Sequence, residues 1–191
     1  MKQLTDVKSL SHTDKKIPSI IENLKNVDTD ASYYLLLMAG KYKSGKKSFM
    51  SRVQKQVGEF EEFDLAEYVD YNEEKSFERI DALFRYIGET EKNVMLRNGD
   101  VLSGEYTGFS YSSQKYATPQ GKYLLRKIES SERFIVLDIE DSANVDKTME
   151  RYAQLAVRFD EADSLFGKIL WRLKQIRIQG HTFSAKRTTG A

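Results

Sequence analysis

Cysteine is absent from this chain, and proline and histidine occur twice each. Without thiols there is no disulfide, no thiolate metal site and no cysteine nucleophile, a composition that fits a reducing compartment. The two histidines, His12 and His181, stand far apart in polar stretches, so no metal-ligand spacing exists. A run of about 20 apolar residues, the length a membrane helix needs, is missing too. The N-terminus is polar rather than the apolar core of a signal peptide. Net charge is also lacking, since Lys+Arg 30 against Asp+Glu 29 leaves +1. No global field therefore points to nucleic acid or an anionic membrane, and binding of either kind would need a local patch. These absences lead us to expect a cytoplasmic, soluble protein with no membrane partner, no nucleic acid partner and no bound metal.

What is present is 191 residues with 40% hydrophobic content, enough for one packed domain and short for two. The chain is organised around an apolar run, Tyr34 to Ala39, that feeds into Gly40-Lys41-Tyr42-Lys43-Ser44-Gly45-Lys46-Lys47-Ser48. A helical pattern follows, with Phe49, Val53 and Val57 at i, i+4 and i+8. This reads as strand, phosphate loop, helix. In a P-loop, G-x-x-x-x-G-K-[ST], glycines let the backbone bend around an anion and successive N–H groups point at phosphate oxygens. Gly40, Gly45 and Lys46 match that pattern, and Gly40, Ser44, Gly45, Lys46, Lys47 and Ser48 are the candidate nucleotide contacts. The hydroxyl that should ligate Mg²⁺ is displaced, because Lys47 follows the loop lysine and Ser48 comes one residue late. One residue at a helix start swings a side chain by about 100°.

The flanking chain divides into an arm over 1–16, a domain over 17–179 and a tail over 180–191. Ile17-Pro18 opens a helix with Ile17, Ile20, Ile21 and Leu24 inward. A short second strand is expected within Phe60 to Val69. Ser76 is expected to cap a helix carrying Phe77, Ile80, Leu83, Phe84 and Ile87, stopped by Gly88. Asn93 to Leu96 reads as a buried strand, and Gly99 to Gln120 as a long surface loop holding Tyr106, Tyr111 and Tyr116. Thr118-Pro119 starts the next helix. Phe134 to Leu137 is another buried strand, ending in the acids Asp138, Glu140 and Asp141. A helix near Val145 to Ala153, a strand through Leu155, Val157 and Phe159, and a last helix with Leu165, Ile169, Leu173 and Ile176 inward complete the pattern. Short buried strands alternating with amphipathic helices predict an α/β fold, a parallel sheet flanked by helices around a P-loop NTPase core.

The order of these motifs resembles an AAA+ ATPase domain over most of Ile17 to Arg172. Val94 to Gly104 resembles the family's Walker B strand and its continuation, with Asp100 and Leu102 matching the later part. Tyr123 to Glu129 is similar to the helix that follows, and Phe134 to Leu137 to the sensor strand. Asn144-Val145-Asp146, Arg151 and Phe159 fall at the family's spacing for the segment that carries the arginine finger, with Arg151 at the finger position. The departures fall on catalytic positions. Arg97 and Asn98 stand where the resemblance implies the Walker B aspartate and glutamate, and Glu140 stands at the sensor position. The helical lid has little chain left to form it after Gln179. Lys47 and Arg97 would put cations where the metal belongs, and like charges a few Å apart repel by about 1 kcal/mol in water and about 4 kcal/mol at an effective dielectric near 20. The resemblance thus implies a catalytically degenerate AAA+-like domain, a pseudo-ATPase with no catalytic residues that serves as a structural or adaptor subunit. It would assemble with a protein partner or as a homo-oligomer, and any ATP or ADP would bind without Mg²⁺.

Two other readings stay open at the level of sequence. A small P-loop ATP-dependent kinase, or an active ATPase, resembles the same loop; in the kinase Asp64 would activate the acceptor, and Arg151 and Arg158 would be lid arginines. An Sm-like RNA-binding barrel resembles Val94, Leu96, Gly99, Leu102, Gly104, Gly108 and Phe109, with a hairpin at Asn98-Gly99. The acids after Phe134 to Leu137 read most simply as a solvated strand end. The loop tyrosines suit a protein partner better than stacked bases, because few basic residues are interleaved with them.

Overall fold

The computed structural model describes residues 10–29, 32–103 and 117–160. Six strands, β1 (Leu10–Ser11), β2 (Tyr34–Ala39), β3 (Phe60–Asp64), β4 (Asn93–Arg97), β5 (Phe134–Ile139) and β6 (Leu155–Arg158), form one sheet in the order β1-β6-β2-β5-β4-β3. All five pairings are parallel. Helices α1 (Ile17–Asn23), α2 (Lys43–Val57), α3 (Glu73–Glu89), α4 (Pro119–Glu129) and α5 (Lys147–Tyr152) flank it. The fold is α/β, and none of its helices is long and apolar enough to cross a membrane among the described residues.

Side chains of a strand alternate between its two faces, and β2 shows the consequence for the core. Leu35, Leu37 and Ala39 pack with α3, α4 and α5, whereas Leu36 and Met38 pack with α1 and α2. Burial on both faces explains why β2 and β5 read as unbroken apolar runs rather than as alternating ones. Phe134 anchors the start of β5, stacked on Tyr34 at 4.8 Å and edge-on to Phe60 at 5.8 Å. These contacts tie the N-terminal ends of β2, β3 and β5 together.

Several local expectations change. Ser76 does not cap α3. Asn72 does, accepting from the Lys75 N–H at 3.1 Å, and Glu73 and Glu74 complement the dipole of the first turn. Ser76 is buried one turn in, and its hydroxyl takes the Asp70 N–H at 2.8 Å. Gly88 does not stop this helix either, for it continues to Glu89 and Gly88 has no left-handed backbone to terminate it. Part of the expected arm is built into the sheet: Leu10 and Ser11 pair with Val157 and Arg158, making β1 an edge strand. The hairpin that a barrel needs at Asn98-Gly99 is replaced by a left-handed Asn98 and a 3-10 turn over Gly99–Leu102. β4 is instead held in parallel between β3 and β5. The tyrosine loop, the last helix and the tail lie outside the described residues.

If Phe134 clamps the strand starts, Phe134→Ala should lower the unfolding free energy by about 3–5 kcal/mol. Tyr71→Ala, at a fully exposed position, should stay within about 0.5 kcal/mol of wild type. Urea denaturation followed by circular dichroism measures both, and equal losses would refute this account of the core.

Candidate functional site

The connections out of β2 and β5 leave on opposite faces of the sheet, one into α2 and the other towards α5. β2 and β5 are neighbours, so a crevice opens beyond their carboxyl ends, the place where open α/β sheets bind ligands. A groove of about 570 Å³ occupies it, lined by Gly40, Lys43, Lys46, Lys47, Arg97, Asn98, Asp138 and Glu140, with Met50, Gln54, Glu62 and Met95 along its floor and wall.

Three residues, Gly40 to Tyr42, make the turn between β2 and α2, because α2 already starts at Lys43. The loop is thus shorter than the motif suggests, and Ser44 and Gly45 fall in the first helical turn. Their N–H groups have no acceptor within the helix by position, and Tyr42 supplies no side-chain cap. Gly40 is needed where it is. Its φ is +128°, and an added Cβ would collide with the Phe159 carbonyl. Three main-chain bonds converge there: Gly40 N–H to the Ile139 carbonyl at 3.1 Å, Phe159 N–H to that of Ala39 at 2.7 Å, and Tyr42 N–H to that of Phe159 at 3.1 Å. Gly45 serves a different purpose, since a Cβ there would strike the Tyr42 ring. That ring lies 5.5 Å from His12, which stacks on Phe159 at 5.2 Å. Burial holds the His12 imidazole below its usual pKa, although a bond to the Arg158 carbonyl and the Asp160 charge pull the other way. A lowered folded value means that His12 withdraws stability as pH falls below about 6.5.

Electrostatics dominates the groove. Lys46, only 8% exposed, sends its ammonium to Asp138 Oδ1 at 2.6 Å and to the Ile139 carbonyl at 2.7 Å. Lys43 meets Glu140 at 3.1 Å and Lys41 meets Asp141 at 3.4 Å, both pairs in solvent. Every acid at the end of β5 thereby faces a lysine of the loop or of the first turn of α2. At the tip of β4, Arg97 pairs with Glu62 at 3.1 Å, and Asn98 donates to both oxygens of Asp64 at 2.8 and 2.7 Å. The Asn98 bond, with the Ala66 N–H, holds the Asp64 carboxyl below its usual pKa. Asp100 fastens the two tips together. It accepts the N–H groups of Glu140 at 2.6 Å and Asp141 at 2.9 Å, and the Asn144 amide at 2.8 Å. Burial would raise its pKa, but these donors outweigh burial and keep it below the ordinary carboxylate value.

The groove gathers Gly40, Lys46, Lys47, Arg97, Asn98 and Glu140. Of the other expected contacts, Ser44, Gly45 and Ser48 do not line it, and the two serines are exposed. Arg151 lies elsewhere, exposed beside Tyr152, whose carbonyl accepts from Tyr33 at the opposite end of β2. Arg158 is an exposed residue at the end of β6. Sequence reading missed the role of Asp138 as partner of Lys46, and the signal was its position directly after the apolar run Phe134 to Leu137. A scan against protein-family models finds no match for this chain, and a search of curated proteins finds none either.

Among the described residues no group of three or more His, Cys, Asp or Glu side chains could hold a metal ion. The carboxylates that line the groove, Glu62, Asp138 and Glu140, each face a cation.

Because its folded pKa is depressed, Asp100 contributes stability that is complete above about pH 4 and is lost as pH falls through the folded value. Asp100→Asn should therefore cost about 1–3 kcal/mol at pH 7, and the gap to wild type should narrow below about pH 4. Urea midpoints at the two pH values measure it, and a gap that does not change with pH would exclude the charge-assisted fastening.

Proposed function

We propose that this chain is a catalytically degenerate domain of the AAA+-like P-loop kind that works as a structural or adaptor subunit in a protein assembly. The observation that carries the reading is the state of the β4 tip and the loop lysine. Phosphoryl transfer depends on a metal and on a carboxylate that positions the attacking group. Here Arg97 and Asn98 take the positions where the resemblance wants those acids, and both are committed to Glu62 and Asp64. The four cations Lys43, Lys46, Lys47 and Arg97 along one groove suit a polyphosphate. Any ATP or ADP held there would be bound through these side chains and the first-turn N–H groups of α2, without metal.

The kinase alternative draws less support, because a general base works best with a pKa near the working pH, whereas Asp64 is shifted down. The adaptor reading gains from the placement of Arg151, exposed and away from the groove of its own chain. In the side-by-side docking that the resemblance implies, such a residue faces the groove of a neighbouring subunit.

Steady-state phosphate release from ATP with Mg²⁺ should not exceed that of Lys46→Ala. In light scattering after size exclusion, the protein should run as an oligomer or together with a co-purified partner, and Arg151→Glu should shift it towards monomer. Turnover above the Lys46→Ala control would promote the ATPase or kinase readings. A monodisperse monomer that recovers no partner would sink the adaptor role.

A further inference from the structure

We infer that the loop is autoinhibited by its own chain: the carboxylates at the end of β5 act as a built-in phosphate mimic that a polyphosphate must displace. The inference rests on reading this loop as a phosphate site, and it concerns how that site is regulated. Lys46 is the element that a P-loop aims at phosphate oxygens. In this chain its ammonium is buried and already has two oxygen acceptors, Asp138 Oδ1 and the Ile139 carbonyl. Lys43 and Lys41 are likewise turned onto Glu140 and Asp141. The three cations and three anions of this contact cancel, and among the described residues Lys47 is the loop lysine with no acidic partner.

The consequence is an exchange rather than a simple addition. An incoming anion gains the lysines only as the carboxylates give them up, and the freed Asp138 would then stand beside the phosphate as a like charge. Breaking one side of a buried pair is costly because it leaves the other charge uncompensated. The exposed pairs at Lys43 and Lys41 add little each. Asp138 is therefore the main gate and Glu140 a minor one. Partner binding that draws the β5 end away from α2 would open the site, which is how an adaptor subunit could couple assembly to anion affinity without hydrolysis.

Inorganic pyrophosphate, titrated into the full chain without Mg²⁺ at low ionic strength and followed by calorimetry, tests this. Asp138→Asn should bind at least about tenfold more tightly than wild type, and Glu140→Gln about two- to fivefold more tightly. Adding Lys46→Ala to Asp138→Asn should abolish the gain. Glu74→Gln, which removes an exposed acid at the start of α3, should leave affinity unchanged. Glu140 is solvent-exposed, so Glu140→Gln keeps the test decisive even if Asp138→Asn unfolds. Equal affinity in wild type, Asp138→Asn and Glu140→Gln would overturn the plug while leaving the phosphate site in place. A rise of the same size in Glu74→Gln would also overturn it, by assigning the effect to overall charge. No pyrophosphate binding by any folded variant would overturn the phosphate site itself, and the plug with it.

Discussion

The bond between the Lys46 ammonium and the end of β5 is the constraint that organises this protein. It spans the crevice between β2 and β5, whose outgoing connections diverge to opposite faces of the sheet. At such a divergence the backbone leaves a gap that something must fill, and here the chain fills it with its own charges. The ladder from β2 to β5, six residue pairs from Tyr34↔Phe134 to Ala39↔Ile139, sets the register that brings Asp138 opposite Met38 and within reach of Lys46. A slip of one residue would turn Asp138 to the other face of the sheet.

Much of the fold was legible because α2 and α3 carry helical periodicity while β2 and β5 are unbroken apolar runs. The parallel sheet followed from short buried runs separated by helices, a burial pattern that antiparallel sheets rarely show. Capping was less legible. Asn72 outcompeted Ser76 because Glu73 and Glu74 extend a good first turn upstream, whereas Ser76 was drawn inward to satisfy the Asp70 N–H. β1 left almost no mark in sequence, since two residues carry no period and owe their place to the edge of β6.

At the groove, Gly40, Lys46, Arg97 and Asn98 line one space, and their partners were not legible. The pattern could not show that Lys46 would find a carboxylate 92 positions further along the chain, because pairing across a sheet depends on strand order and register. The fastening role of Asp100 was hidden for the same reason. Read locally it is one acid in a turn, and only the approach of the two strand tips gives it three donors. The acids at the end of β5 are each held by one of the protein's own lysines.

The junction at Gly40 carries a mechanical meaning. Main-chain bonds lock the turn after β2 to Phe159, the residue that follows β6, and the absence of a side chain at Gly40 lets the two backbones touch. Whatever pulls on the polypeptide leaving Asp160 is therefore delivered within two residues to the base of the lysine loop, with no long linkage in between. The His12 ring, stacked on the same Phe159, loads that joint from the other end of the chain. Both ends of the described residues thus meet at Phe159, beside the turn where the charges face one another.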